Sequence, residues 1–167
     1  MIIKKIISNT KNLINEWHTE DKKWFSSNLN NLDIQNSVNK LAFHNYCGWH
    51  FIEEYQNKNK EIISFVYEGG LEHNKNRNEC MEKIDEFFDK IQLKTGGFNS
   101  EGFGSIFDRI INDYIKYLHL KENNDTRAEL MEDQIYFLEK AAEQLYTDIT
   151  CGQRQIKIFK KFKTKGY

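Results

Sequence analysis

The chain has 167 residues, of which 39 % are hydrophobic and 29 % are charged, and its formal net charge is -1 at pH 7. A chain of this length forms one compact domain and buries roughly 70 % of its unfolded surface. The near balance of 24 Lys and Arg against 25 Asp and Glu disfavours a generic nucleic-acid binder, because no net field attracts a polyanion. No apolar run approaches the roughly 20 residues of a membrane span, so we expect no membrane partner.

The cysteines and the first residues of the chain indicate the cytoplasm. Cys47, Cys80 and Cys151 are odd in number and lack the CxxC spacing of a zinc or redox site. The apolar run at the start is too short for the core of a signal peptide. We therefore expect a cytoplasmic protein with reduced thiols. The sequence indicates no particular cofactor.

Apolar residues recur at helical spacing along nearly the whole chain, and no convincing strand pattern interrupts them. The stripe of the first helix comprises Ile3, Ile6, Ile7, Leu13, Ile14 and Trp17. Asp33 is a candidate N-cap for the second helix. The stripe of that helix comprises Ile34, Val38, Leu41, Asn45, Trp49 and Ile52. A third helix is expected from about Asn59 to Leu93, and Gly69-Gly70 leave open whether it is one helix or two.

The second half of the chain predicts two more helices. Ser105 begins the fourth helix after the loop TGGFNSEGFG, and Thr126 with Glu129 forms a capping-box pattern for the fifth. The seam of the fifth helix comprises Met131, Ile135, Leu138, Ala142, Leu145 and Ile149, and Gly152 is a natural stop. We predict an all-α, single-domain bundle of about five helices in mostly up-and-down order, spanning residues 1–152. Residues 153–167 form a basic tail that packs on the bundle or extends it.

Two polar residues occupy positions where the helical spacing predicts apolar residues. Asn45 lies in the stripe of the second helix, where an amide needs a hydrogen-bond partner. Arg77 lies on the apolar side of the third helix and needs a carboxylate, a phosphate or several carbonyls. Asn74 and Asn78 flank it. These residues predict either structural interhelical pairs or a site for an anion.

The stretch GSIFDR, residues 104–109, permits two interpretations. In the first, Ser105 caps the fourth helix, Asp108 completes a capping box and Arg109 is merely exposed. In the second, the glycine-rich loop, the free backbone N–H groups and Arg109 form an anion cradle. The basic tail would then add Lys163 to the same site.

The dipeptide Trp-His occurs twice, and carboxylates follow each copy. A carboxylate within a helical turn of His18 or His50 can orient the imidazole for proton transfer or for metal binding. A metal centre would combine His18, His50 and Glu53, but one helical pair is weak support, and we assign no metal site from the sequence. His119, near the end of the fourth helix, is expected to interact with the helix dipole.

These polar residues, taken in order, resemble an uncharacterised bacterial all-helical family, a domain of unknown function. The matching residues are Trp17-His18, Asn45 with Trp49-His50, Asn74, Arg77 and Asn78, Glu82, Ile84 and Asp85, residues 104–109, and Phe159, Phe162 and Lys163. The chain departs from the pattern where Phe51-Ile52 precede the acidic pair and at Lys161. The resemblance implies a helical fold and supports the polar set, and it brings no reaction.

The sequence therefore favours a helical protein whose polar residues converge in an inter-helix cleft and bind an anionic small molecule, such as a nucleotide or a sugar phosphate. Arg77, Arg109, Ser105 and Lys163 would hold the anion. Trp49 with Asn45, Asn74 and Asn78 would position the ligand, and His50 and Asp108 are the candidate proton-transfer groups. Two alternatives stay open: a non-catalytic scaffold with a buried ion network, and a metal-dependent enzyme. A homodimer through the second or fifth helix is compatible with either.

Overall fold

The computed structural model describes residues 2–19, 33–57 and 63–157, and these form five helices. The helices are α1 (Ile2–Thr19), α2 (Ile34–Asn57), α3 (Ile63–Ile91), α4 (Phe103–Glu122) and α5 (Arg127–Thr150). Two short strands, β1 (Gly97–Phe98) and β2 (Arg154–Gln155), pair in parallel. The predicted all-α, single-domain helical bundle is confirmed.

The helices form because each buries an apolar face in one shared core. In α5 the predicted seam is confirmed: Ile135, Ala142, Leu145 and Ile149 are buried, and two further members pack partly against the core. In α2 the predicted stripe holds as far as Asn45, which is 5 % exposed. It is wrong at Ile52, which is 59 % exposed, because that part of α2 borders a cleft.

The predicted N-cap of α2 is confirmed, whereas the predicted capping box of α5 is wrong. The carboxylate of Asp33 accepts the backbone N–H of Asn36 at 2.7 Å and caps α2 as expected. The capping box at Thr126 is wrong, since the Thr126 side chain makes no cap hydrogen bond. Asp125 takes that role, because its carboxylate accepts the backbone N–H of Arg127 at 2.9 Å.

The start of α4 lies two residues before the predicted one, and an acidic side chain from α3 caps it. Asp85 accepts the backbone N–H of Gly104 at 2.7 Å. A Cβ atom at Gly104 would clash with the carbonyl of Met81, and one at Gly102 would clash with the Asp85 carboxylate. The glycines of this loop therefore allow α4 to approach α3 closely, and Ser105 is not the N-cap.

Gly69 and Gly70 do not break α3, which is continuous from Ile63 to Ile91. A Cβ atom at Gly69 would lie 3.2 Å from the ring of Phe51, so this glycine has a packing role between α2 and α3. Gly70 has no comparable neighbour among the described residues, none of which lies within 4 Å of its hypothetical Cβ.

The segment after α5 packs on the bundle. Gly152 has a φ of 77° and ends the helix as predicted. The buried side chain of Gln92 donates to the carbonyl of Ile156 at 3.0 Å and accepts its N–H at 2.7 Å. Ile156 is 3 % exposed, whereas Phe159, Phe162 and Lys163 lie outside the described residues.

None of the helices within residues 2–19, 33–57 and 63–157 is both long enough and apolar enough to cross a membrane.

Candidate binding cleft between α2 and α3

A cleft of about 430 Å³ opens between α2 and α3. Its volume lies in the range of pockets that hold small metabolites. Trp49, Phe51, Ile52 and Leu71 supply apolar walls, and polar residues of α2, α3 and α4 complete the lining. Mostly apolar walls with a few polar groups are the usual composition of a small-molecule site.

Two glycines in the interiors of helices widen the cleft. Gly48 of α2 and Gly70 of α3 both line it, and no described residue has an atom within 4 Å of a Cβ atom built on either glycine. Glycine in a helix interior costs about 1 kcal/mol relative to alanine. Here no close helix contact explains that cost, and the space that a side chain would fill belongs to the cleft.

Arg77 lies at one end of the cleft and is held by a carboxylate from α4. Its Nε donates to Asp108 Oδ1 and its Nη2 donates to Asp108 Oδ2, both at 2.6 Å. Asn45 Nδ2 also donates to Asp108 Oδ1, at 3.0 Å. These bonds with Asp108 are the largest cause of a raised pKa for the Arg77 guanidinium. The pattern that singled out Asn45 and Arg77 therefore found two members of one polar network.

Asp108 positions Arg77 instead of facing the cleft. It is 7 % exposed, and both of its carboxylate oxygens accept hydrogen bonds from Arg77. Arg77 itself lines the cleft, with 33 % of its side chain exposed. A guanidinium has five N–H donors, so two bonds to Asp108 leave others that can serve a ligand.

A pair of histidines forms a second polar element of the cleft. His44 Nδ1 and His73 Nδ1 are 3.0 Å apart, so one ring donates to the other. Burial is the largest cause that lowers the pKa of His44 to about 4, followed by His73 and Lys40. Burial also lowers the pKa of His73. The sequence does not predict this pair, because helical spacing alone does not show that two helices bring these rings together.

The asparagines near Arg77 separate into two groups. Asn74 and Asn112 line the cleft, and Asn112 Nδ2 donates to the backbone carbonyl of Asp108 at 2.8 Å. Asn78, which was predicted to contact the ligand, donates to the backbone carbonyl of Asn74 at 2.9 Å and does not line the cleft.

The structure does not bring the start of α4 to this cleft. Arg109 is exposed and pairs with Glu101 at 3.0 Å, and Ser105 is also exposed. The N-terminus of α4 does bind an anionic group, but that group is the carboxylate of Asp85 in the same chain. Lys163 lies outside the described residues.

His50 does not line the cleft either and belongs to a cluster of rings between α1, α2 and α4. The ring centroid of His18 lies 4.8 Å from that of His119 and 6.2 Å from that of His50. Trp49 stacks on His119 with centroids 5.5 Å apart. His119 is thus a packed member of this cluster, which the dipole interpretation did not predict. The side chain of Glu53 lies outside the described residues.

Comparison of the chain with protein-family models, with curated proteins and with solved structures gives no match. The resemblance to the bacterial helical family therefore stays a prediction, and the geometry carries the functional argument.

Proposed function

We propose that the protein binds an anionic small molecule in the cleft between α2 and α3. The ligand would have a flat or largely apolar part and one phosphate or carboxylate group, as a nucleoside monophosphate has. The proposal assigns no chemical step, since His50 does not line the cleft and Asp108 holds Arg77.

The observation that carries the proposal is the pair of cleft-lining glycines. Gly48 and Gly70 each weaken a helix interior by about 1 kcal/mol, and among the described residues neither makes the close contact that would require a glycine. Natural sequences that break a local rule of stability often do so at functional sites. A cleft kept open at a cost in stability is the feature expected of a binding site.

The charges around the cleft favour a ligand with a single anionic group. Among the described residues that line it, Arg77 is the one full positive charge at neutral pH, and Asp108 neutralises much of it. A triphosphate would need more cations than this lining supplies. One phosphate can take the spare guanidinium donors together with the amides of Asn74 and Asn112. Trp49 and Phe51 offer faces for a ring.

A scaffold role is the second candidate, and the bidentate Arg77–Asp108 pair with Asn45 favours it. Such a network fixes the packing of α2, α3 and α4 whether or not a ligand binds. Replacing Arg77 does not separate the two functions, because either one predicts a loss of stability. The separating test must alter the cleft and leave the network intact.

The thermal midpoint of the purified protein, measured against a panel of probes, tests the proposal. The panel contains adenosine and uridine monophosphates, glucose 1-phosphate, adenosine triphosphate, adenosine and inorganic phosphate. At one hundred times its dissociation constant a ligand adds about 2.7 kcal/mol. Each kcal/mol raises the midpoint of a chain of this size by roughly 2 to 4 °C. We expect such a shift with a monophosphate.

Asn74→Asp and Asn12→Asp form the matched pair of variants. Asn74 is an exposed residue that lines the cleft, and Asn12 is an exposed residue of α1. A negative charge at position 74 opposes an anion by about 1 to 4 kcal/mol and should reduce the shift, whereas the charge at position 12 should not. An equal shift in both variants, or equal shifts with adenosine and its monophosphate, would contradict an anion site.

We further propose that this binding takes place in the cytoplasm. Cys47, Cys80 and Cys151 are all free thiols, and Cys47 and Cys80 are buried. Burial raises the pKa of Cys47 to about 12, so this thiol is unreactive. Free thiols are typical of a reducing compartment.

A further inference from the structure

Two histidines and a glutamate meet at the end of α4 and the end of α1, away from the cleft. His18, His119 and Glu122 each offer one ligand atom, and these atoms all lie within 4.8 Å of one another. His18 Nδ1 is 3.8 Å from Glu122 Oε1. His119 and Glu122 are three residues apart on α4, so both side chains leave the helix on the same face.

This set of atoms matches the coordination chemistry of a divalent transition-metal ion. Zinc bound by imidazole nitrogen and carboxylate oxygen has bonds of about 2.0 to 2.2 Å, which puts tetrahedral ligands about 3.4 Å apart. The observed 3.8 Å between His18 and Glu122 is close to that separation. Glu122 is 59 % exposed and can move inward, whereas His18 is 10 % exposed and held in place.

We propose that His18, His119 and Glu122 bind a zinc ion, or another first-row divalent ion of similar preference, outside the proposed binding cleft. The site does not depend on the proposed function, because none of the three residues lines the cleft. Two imidazoles and one carboxylate are the protein ligands of several catalytic zinc and iron sites, which keep further positions open for water or substrate.

The neighbouring rings give this site a supporting shell. The centroid of His50 is 5.4 Å from that of His119, and Tyr46 packs edge-on against both His18 and His50. Trp49 stacks on His119 and also lines the cleft. Packing of this kind fixes the orientation of a ligand imidazole. It also makes Trp49 a direct contact between the metal site and the cleft.

Metal binding by the full chain is the test. The protein is treated with a chelator, dialysed, and titrated with zinc in competition with a chromophoric chelator. We expect one zinc ion per chain. Loss of an outer partner of a metal site weakens affinity about 10- to 100-fold, so loss of a direct ligand in Glu122→Gln or His119→Asn should weaken it at least as much. Glu122 is exposed, so Glu122→Gln should fold normally.

The control variants are Glu129→Gln, which removes an exposed carboxylate of α5, and Cys151→Ser, which removes the exposed thiol. Both variants should bind zinc as tightly as the native chain does. When cobalt replaces zinc in the native chain, its absorption spectrum should show no thiolate charge-transfer band. A zinc affinity equal to that of the native chain in both Glu122→Gln and His119→Asn would overturn the proposal. Absence of stoichiometric zinc binding, or loss of binding in Cys151→Ser, would overturn it as well.

Discussion

Arg77 illustrates how one side chain can serve the core and a cleft together. One edge of its guanidinium is bound by the buried carboxylate of Asp108, and the side chain, which is 33 % exposed, also lines the cleft. Asn45 adds a third hydrogen bond to the same carboxylate. Because Asp108 is 7 % exposed, removing Arg77 would leave a charge with little water around it.

Arg77→Ala is therefore expected to lower the free energy of unfolding by about 3 kcal/mol, the lower end of the range for a broken buried ion pair. Arg109→Ala breaks an exposed pair with Glu101 and should cost about 1 kcal/mol or less. Urea denaturation of both variants measures the difference. Equal losses would show that the Arg77–Asp108 pair is no more important to stability than a surface ion pair.

The His44–His73 pair predicts a dependence of stability on pH. In the folded chain the pKa of His44 is lowered from 6.5 to about 4. Burial is the largest cause, His73 and Lys40 lower the pKa further, and Glu79 raises it. Burial lowers the pKa of His73 as well. Between about pH 6.5 and pH 4 the unfolded chain binds more protons than the folded one, so the free energy of unfolding falls as the pH falls through that window.

Above about pH 6.5 both states hold a neutral imidazole, and the pair contributes no pH dependence. In His44→Gln the fall between pH 6.5 and pH 4 should be smaller than in the native chain. Urea denaturation at several pH values compares the two proteins directly. Parallel curves would mean that His44 titrates equally in the folded and unfolded states.

At the scale of helices, glycines decide how closely α2, α3 and α4 approach one another. Gly69 accommodates the ring of Phe51, and Gly104 accommodates the backbone of Met81. Gly48 and Gly70 have open space instead and border the cleft. Two of these four glycines therefore allow close packing, and the other two border the cleft. The composition alone does not distinguish the two cases.

The same substitution at two of these glycines should have opposite effects. Gly104→Ala places a methyl group against the Met81 carbonyl and should destabilise the protein by about 1 to 3 kcal/mol. The methyl group of Gly70→Ala meets no described residue, so this substitution should stabilise α3 by up to about 1 kcal/mol. Denaturation midpoints of the two variants test the assignment, and a loss of stability in both would contradict the open space at Gly70.

Helical periodicity predicted which face of a helix is buried better than it predicted which residues of other helices that face contacts. It placed Asn45 on a core-facing position, where the structure finds it buried, and it predicted the α5 seam. Arg77 bonds to the buried Asp108 but is 33 % exposed and lines the cleft. It did not find that Asp85 caps α4 or that His119 meets His18, because those contacts join residues far apart in the sequence. The spacing of His119 and Glu122, a pair three residues apart on one helix, was the available signal for the metal cluster.

At the scale of the whole molecule, the bundle has one shared core and two proposed sites with different chemistry. The proposed binding cleft lies between α2 and α3 and contains Arg77, and the proposed metal site joins α1 to α4. Trp49 contacts both. We propose that Gly70 leaves room for a ligand and is not required for close packing of helices.

Isothermal titration of Gly70→Leu and Gly70→Ala with adenosine monophosphate, or with the monophosphate that most raises the thermal midpoint, tests that claim most directly. The leucine fills the cleft and the methyl group leaves most of it open, so Gly70→Leu should lose binding while Gly70→Ala keeps an affinity near that of the native chain. Native affinity in Gly70→Leu, in a protein that remains folded, would contradict a binding site between α2 and α3.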